Sequence, residues 1–209
     1  RMQEWFHREG ITVSHLTPAL AQIVSGPDVT AGPRLDQLRW AFIGGDRLSG
    51  ATVHALRQRA PVAGVVNFYG TTETPQAMAY HVAAIPGERG CINAPADEPV
   101  PLGHPINDAQ LILMTDSGQL AGIGELAEIT IRTPHLSRHY LDETDLTRSR
   151  YVTNPVTRDE TDRLYRTGDL GRYRADGSVS YVGRRDHQIK VRGYRVEPDE
   201  IIRALKLHS

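Results

Sequence analysis

The segment NFYGTTET, residues 67–74, carries a dense group of side chains that could handle a nucleotide. It supplies, in chain order, an amide, an aromatic ring, a flexible glycine, two hydroxyls and a carboxylate: Asn67, Tyr69, Gly70, Thr71, Thr72 and Glu73. An amide can pair with a base edge and a ring can stack on the base, whereas hydroxyls can bond phosphate oxygens and a carboxylate can hold Mg²⁺. The alternative interpretation is a strand end followed by a helix, with Thr71 or Thr72 as the cap and Glu73 in the first turn.

Other segments could approach the same ligand. Gly44 and Gly45 follow a short apolar run in AFIGGD, which permits a positive φ and a close approach of the backbone to a flat ligand, although a simple turn would use the same pair. In YRTGDL, the two oxygens of Asp169 could accept both hydroxyls of a ribose, as an acidic residue does in dinucleotide-binding folds. Asp176 lies in a plain hairpin signature, ADG, and we assign it no function. The stretch GRRDHQIKVRGYRVE is dense in charge, and a solvated two-stranded ribbon would look similar.

The elements around these residues indicate how they are positioned. Through residues 1–98, helix patterns (MQEWFHREG, TPALAQIVSG, LSGATVHALRQRA) alternate with strand patterns (ITVSHL, RWAFIGG, GVVNFYG). Strands separated by helices predict a parallel sheet, and ligands bind such sheets at the carboxyl ends of the strands. Gly44, Gly45 and the 67–74 segment stand at such ends.

The pattern changes from about Pro99. Short alternating strands (QLILM, GELAEITIR, DLGRYRADGSVSYVG, QIKVRGYRV) are joined by Asp-Ser-Gly and Ala-Asp-Gly turns, which predicts a small antiparallel β-barrel-like subdomain over 99–185. EPDEIIRALKL is a helix pattern with Pro198 at the first position, so a C-terminal α+β lid subdomain is predicted to begin within 186–209. The predicted fold class is therefore α/β, with a parallel sheet and flanking helices, then the antiparallel unit, then the start of the lid.

Composition restricts the function classes. The formal net charge is −1, from 24 basic and 25 acidic residues, and basic residues are not grouped on one face, so we predict no nucleic-acid partner. No apolar run approaches the roughly 20 residues of a membrane span, so we predict no membrane partner. The single Cys91 and the lack of a signal pattern predict a cytoplasmic protein. The histidines do not form a zinc motif.

The segments IGGD, NFYGTTE, YRTGDL and GRRDHQIKVRGYRVEPDEI, in this order, resemble the adenylation domains of nonribosomal peptide synthetases, a branch of the adenylate-forming superfamily. Within that family, HLTPAL and NFYGTTETPQAMAY resemble α-aminoadipate reductases and reductase-terminated synthetases. The resemblance implies an ATP-dependent acid–thiol ligase that converts an amino or carboxylic acid to acyl-AMP with Mg²⁺. It would load the acyl group onto the phosphopantetheine of a carrier-protein domain, and a downstream reductase domain would be a further partner.

The resemblance also implies residue roles. Thr72, on the α-phosphate, and Glu73, on Mg²⁺, would be the catalytic residues. The nucleotide would be bound by Gly44, Gly45, Asn67, Tyr69, Gly70, Thr71, Thr72, Asp169, Tyr181 and Arg184. The acyl pocket would be lined by Ala19, Phe42, Phe68, Gln76 and Ala77, although Phe42 and Phe68 could equally be core residues. Asp186 would be the hinge about which the lid swings between adenylation and thioester formation.

Some expected parts of the family are missing from the sequence. The phosphate loop and the aspartate for a substrate α-amine would lie upstream of Arg1, and the lysine that stabilises the acyl phosphate would lie beyond Ser209, so these residues alone are not expected to catalyse. LSRHYL, residues 136–141, departs from the glycine-richer family version. Two alternatives remain open: an acyl-CoA ligase, and a degenerate nucleotide-binding or interaction module of a megasynthase.

Overall fold

The computed structural model describes residues 2–28, 31–88, 90, 92–186, 189–191, 194–196 and 198–207, and Cys91 lies outside these ranges. The helices in these ranges are α1 (Met2–Arg8), α2 (Pro18–Ser25), α3 (Gly50–Arg59), α4 (Thr144–Arg150) and α5 (Pro198–Leu207). The strands are β1 (Val13–Leu16), β2 (Trp40–Gly44), β3 (Gly64–Tyr69), β4 (Ala79–Ala84), β5 (His104–Pro105), β6 (Gln110–Met114), β7 (Ala127–Arg132), β8 (Tyr151–Thr153), β9 (Arg163–Tyr173), β10 (Val179–Arg184), β11 (Ile189–Val191) and β12 (Tyr194–Val196).

Local signals in the sequence explain where the early helices begin. The Thr17 hydroxyl accepts a hydrogen bond from the Leu20 backbone N–H at 3.3 Å and caps α2. The Ser49 hydroxyl accepts from the Thr52 N–H at 3.2 Å and caps α3 in the same way. The helix considered as an alternative after β3 does not form among the described residues 70–78, which make a turn instead.

The first sheet has the strand order β1-β2-β3-β4-β5. β1, β2 and β3 are parallel, as predicted, but β4 runs antiparallel to β3 and β5 antiparallel to β4, so the expectation of a purely parallel sheet was wrong for this edge. The cause is the short connection from Gly70 to Met78, because a parallel return needs a crossover of a dozen or more residues. The Met78 N–H closes this turn by donating to the Tyr69 carbonyl at 2.7 Å.

The second sheet is antiparallel, with the order β10-β9-β7-β6 and with β8 paired to β9. The β9–β10 turn is the predicted ADG turn, where Asp176 accepts from the Ser178 N–H at 2.9 Å and Gly177 has φ +79°. This sheet is open, since β6 and β10 do not pair among the described residues, so the barrel-like closure is not formed. β11 and β12 pair as a hairpin ahead of α5. The α/β fold class, with a sheet containing parallel strands followed by an antiparallel sheet, is confirmed.

Packing between the sheets brings distant segments together. One hydrophobic cluster lies between the first sheet and α1–α3 and includes Val24, Leu38, Ile43, Leu56 and Val65. Another cluster joins the end of β3 to the second sheet and includes Tyr69, Met78, Leu113, Ile129 and Val179. The carboxyl end of β3 is therefore packed against the antiparallel sheet. Of the helices within the described residues, none is long and apolar enough to cross a membrane.

Candidate functional site

A buried carboxylate lies where the two sheets meet. Asp169, on β9, is 3% exposed. The Tyr69 hydroxyl donates to its Oδ2 at 2.7 Å, and Nη1 of Arg184 donates to its Oδ1 at 2.6 Å. Buried charges are tolerated when they are paired and hydrogen-bonded, and this carboxylate has both kinds of support. The structure thus brings together three of the residues predicted to bind a nucleotide, and ribose hydroxyls on Asp169 would share its oxygens with Tyr69 and Arg184.

The Arg184 guanidinium also reaches the residue predicted to be the hinge. Its Nε and Nη2 donate to the two carboxylate oxygens of Asp186 at 2.6 and 2.8 Å, and Arg150 adds a bond to Asp186 Oδ2 at 3.1 Å. Burial opposes ionisation of Asp186, but the bonds from Arg184 and Arg150 outweigh it and lower the pKa of this carboxyl to about 2. Asp169, Arg184, Asp186 and Arg150 therefore form one ion-pair network, which ties the predicted ribose carboxylate to the predicted hinge.

Two phenols near Asp169 resist ionisation. Burial, followed by the charge of Asp169, raises the pKa of Tyr69 well above its ordinary value of 10.0. The same causes raise the pKa of Tyr181 to about 12. Both side chains are consequently neutral hydrogen-bond donors at ordinary pH.

A cleft opens beside these groups. It is lined by Gly45, Asp46, Arg47, Leu48, Asn67, Phe68, Tyr69, Gly70, Val100, Leu102, Asp169 and Tyr181. Sequence reasoning missed several of these residues, although Asp46 and Arg47 directly follow the glycine pair and could have been added from their position. Val100 and Leu102 carry no signal of their own. A larger cavity, about 770 Å³, lies elsewhere, beside Arg132 and Asp162.

The glycine pair and Asn67 are fixed by packing. Gly44 lies opposite Phe68 in the register, and a Cβ on Gly44 would lie 3.2 Å from the Phe68 carbonyl oxygen, so the strand approaches closely there. Gly45 has φ +89°, a conformation that favours glycine. Asn67 is 2% exposed, and its Nδ2 donates to the Pro101 carbonyl at 2.8 Å. The amide plane is therefore held in one orientation at the cleft.

Glu73 is buried in a turn, away from solvent. The Tyr140 hydroxyl donates to its Oε1 at 2.6 Å, and the Ser137 N–H donates to its backbone carbonyl at 3.0 Å. Tyr140 was not selected from the sequence, although it lies in the 136–141 segment that departs from the family pattern. Thr72, next to Glu73, is exposed, and the Thr71 N–H donates to the Thr74 hydroxyl at 3.1 Å.

Glu73 fits a magnesium site as one ligand. The described residues contain no group of three or more His, Cys, Asp or Glu side chains that could hold a metal ion. Mg²⁺ in nucleotide sites is commonly bound by one or two carboxylates together with substrate phosphates rather than by a cage of protein ligands. A single buried carboxylate is compatible with that arrangement.

Aromatic rings form a ladder across β2 and β3. Phe42 stacks on Phe68 with ring centroids 5.2 Å apart, and Trp40 stacks on Phe42 at 5.8 Å. His15 meets Phe68 edge-on at 6.2 Å. Phe42 and Phe68 are both partly exposed, so they are not plain core residues, and His15 and Trp40 are neighbours that sequence reasoning missed.

The other residues predicted for the acyl pocket lie in two places. Ala19 is partly buried in the first turn of α2. Gln76 and Ala77 precede β4 and press against Gly70, where an added Cβ would lie 2.4 Å from the Gln76 carbonyl oxygen. Their roles stay predictions.

Comparisons with known proteins agree on a family. The family model described as AMP-binding enzyme matches residues 1–141. The L-2-aminoadipate reductase large subunit of Penicillium chrysogenum is 34% identical over 233 aligned positions, which cover 100% of this chain and 16% of that protein. One chain of the linear gramicidin synthase of Brevibacillus parabrevis is also 34% identical, over 100% of this chain and 2% of that protein.

Solved structures give the same result. Holo-PA1221, a nonribosomal peptide synthetase protein with adenylation and PCP domains bound to a vinylsulfonamide inhibitor, superposes with a TM-score of 0.80 at 28% identity, over 98% of this chain and 34% of that one. The Vibrio cholerae adenylation domain AlmE, in complex with glycyl-adenosine-5'-phosphate, superposes with a TM-score of 0.78 at 28% identity, over 96% and 36%.

These matches extend over most or all of the chain, whereas the chain spans only a small part of each relative, at most 16% of the two curated ones. The predicted resemblance to adenylation domains of nonribosomal peptide synthetases is confirmed by both kinds of comparison. The chain belongs to the AMP-binding enzyme family.

Proposed function

We propose that this chain forms the nucleoside-binding part of an adenylation domain in a larger ATP-dependent acid–thiol ligase. The observation that carries the proposal is the buried Asp169, held by Tyr69 and Arg184 beside a cleft that also exposes Gly45 and Asn67. A carboxylate suits ribose hydroxyls, an oriented amide suits the edge of adenine, and an aromatic ring suits its face. The four groups together match one nucleoside.

The reaction we propose has two steps. An oxygen of the substrate carboxylate forms a bond to the α-phosphorus of ATP, and the bond from that phosphorus to the pyrophosphate oxygen breaks. The thiol of a phosphopantetheine then bonds to the acyl carbon and loses its proton, while AMP leaves. Thr72 would bond the α-phosphate, and Mg²⁺ bound by Glu73 and phosphate oxygens would neutralise charge.

The remaining assignments are part of the same proposal. Residues 1–98 would form the second half of the nucleotide- and acyl-binding subdomain, 99–185 the antiparallel unit, and 186–209 the hinge at Asp186 and the start of the lid. The acyl pocket would be lined by Ala19, Phe42, Phe68, Gln76 and Ala77. The names of the relatives support a carrier domain and a downstream reductase domain as partners of a cytoplasmic enzyme. The sequence holds no phosphate-loop motif, so these residues alone are not expected to catalyse.

The test is ATP–pyrophosphate exchange by the full-length protein against a panel of amino and carboxylic acids. We expect exchange that depends on one acid and that falls by about 100-fold or more in Asp169→Ala, because a buried group that contacts substrate is lost. Asp176→Ala, which removes a carboxylate from the turn of the same hairpin, is the matched control and should retain exchange. Exchange with no acid would favour the degenerate binding module, and acyl transfer to free CoA rather than to the carrier would favour the acyl-CoA ligase.

A further inference from the structure

The carboxylate of Glu73 is held by a side chain to which the proposed reaction gives no role. The Tyr140 hydroxyl donates to Glu73 Oε1 at 2.6 Å, a length typical of hydrogen bonds to an ionised carboxylate. The two residues are 67 positions apart in the chain. Glu73 is 7% exposed, so water competes little for this bond.

Tyr140 is itself fixed by a cluster of tyrosines, which we define as Tyr140, Tyr151 and Tyr165. The Tyr140 and Tyr165 hydroxyls are 3.1 Å apart, and the Tyr140 ring meets Tyr151 edge-on at 5.7 Å. Tyr165 is fully buried on β9 and packs against Tyr151 at 5.1 Å. The phenol that reaches Glu73 therefore has little freedom to move.

The same segment also holds the Glu73 backbone. The Ser137 N–H donates to the Glu73 carbonyl at 3.0 Å, and the Ser137 hydroxyl is bonded to the Tyr151 hydroxyl. Main chain and side chain of Glu73 are thus both attached to residues 137–140. The orientation of this carboxylate is set by the second sheet rather than by its own turn.

We infer that Tyr140 is a positioning residue, which orients the Glu73 carboxylate toward the divalent cation of bound ATP. The inference rests on the proposed function, in which Glu73 is the protein ligand of that cation. The terminal torsion of a glutamate is broad, and a hydrogen bond to one oxygen restricts it. Partners of this kind, one step removed from the metal, typically change metal affinity or activity by about 10–100-fold.

The test measures metal binding directly. Mn²⁺ replaces Mg²⁺, and the free Mn²⁺ signal is followed by electron paramagnetic resonance as the full-length protein is titrated in the presence of α,β-methylene-ATP. Tyr140→Phe keeps the ring and removes only the hydroxyl, and we expect it to weaken Mn²⁺ binding by about 10-fold. Tyr151→Phe is the matched control, because it removes a hydroxyl of the same cluster that bonds Ser137 rather than Glu73, and its affinity should stay at the wild-type value.

A double-mutant cycle separates positioning from general stabilisation. If Tyr140 acts through the carboxylate, Tyr140→Phe should cause no further loss of Mn²⁺ affinity in a Glu73→Gln background. Wild-type affinity in Tyr140→Phe, an equal loss in Tyr151→Phe, or additive losses in the double variant would each overturn the inference.

Failure of the inference can be told from failure of the proposed function. Exchange that depends on Asp169, together with unchanged Mn²⁺ binding in Tyr140→Phe, overturns the role of Tyr140 alone. Unchanged Mn²⁺ binding in Glu73→Gln removes Glu73 as the metal ligand, and the inference falls with that assignment.

Discussion

Gly168 packs so closely against the ion-pair network that one added methyl group should disturb it. A Cβ at this position would lie 2.9 Å from Arg150 Nη1, from Arg184 Nη2 and from Asp186 Oδ2. These are the ends of flexible side chains, so in Gly168→Ala they would move rather than clash permanently. The movement would separate Arg184 from its carboxylate partners, including Asp169.

The turn glycine Gly177 provides a matched control on the same hairpin. Gly168 has φ +77° and Gly177 has φ +79°, but a Cβ on Gly177 would meet nothing within 4 Å. A left-handed conformation destabilises an ordinary residue by about 1–2 kcal/mol, and both alanine variants should lose that amount. Gly168→Ala should lose about 1–3 kcal/mol more, because it also overpacks its surroundings.

Unfolding in urea and calorimetric titration with AMP, on the full-length protein and both variants, measure these two effects. We expect Gly168→Ala to unfold at lower urea than Gly177→Ala and to bind AMP roughly 10-fold more weakly, which corresponds to about 1.4 kcal/mol. Gly177→Ala should bind AMP as the wild type does. Equal unfolding midpoints and equal AMP affinities in the two variants would refute the reasoning, since the network would then tolerate the methyl group.

Three other perturbations test the surroundings of the site. Asn67→Ala should lower the free energy of unfolding by about 1–3 kcal/mol, because the buried Pro101 carbonyl loses its donor, and an unchanged urea midpoint would contradict this. Glu128→Gln should lower it by about 1–3 kcal/mol, since Arg166 loses a buried ionic partner but is itself partly exposed; a wild-type midpoint would argue against the pair. Asp186 has an ordinary pKa of 3.8 and a folded pKa of about 2, so its ionisation stabilises the fold above the higher value, and this contribution is lost as pH falls through the lower one. Between pH 5 and 2.5 the urea midpoint of the wild type should therefore fall further than that of Asp186→Asn, and parallel pH profiles would show that the carboxylate is not held as described.

The sequence by itself determined the features that depend on neighbouring residues. Thr17 and Ser49 mark helix starts because a hydroxyl at that position satisfies an N–H three residues on. The ADG turn follows from the positive φ at Gly177, and the strands of the first sheet follow from apolar runs ending in glycine. The motifs around Asn67 and Asp169 also indicated the family, because the residue types needed to hold a nucleoside stand close together within each motif.

Only the tertiary structure decided which of these residues meet. Tyr69 and Asp169 are 100 positions apart, and their hydrogen bond exists because the end of β3 packs on the second sheet. Arg150 and Asp186, and likewise Tyr140 and Glu73, are joined across distant segments for which no spacing rule applies. Periodicity and capping report forces along the chain, whereas these contacts arise from burial between sheets, where a charged or polar group must find whichever partner the packing brings within reach.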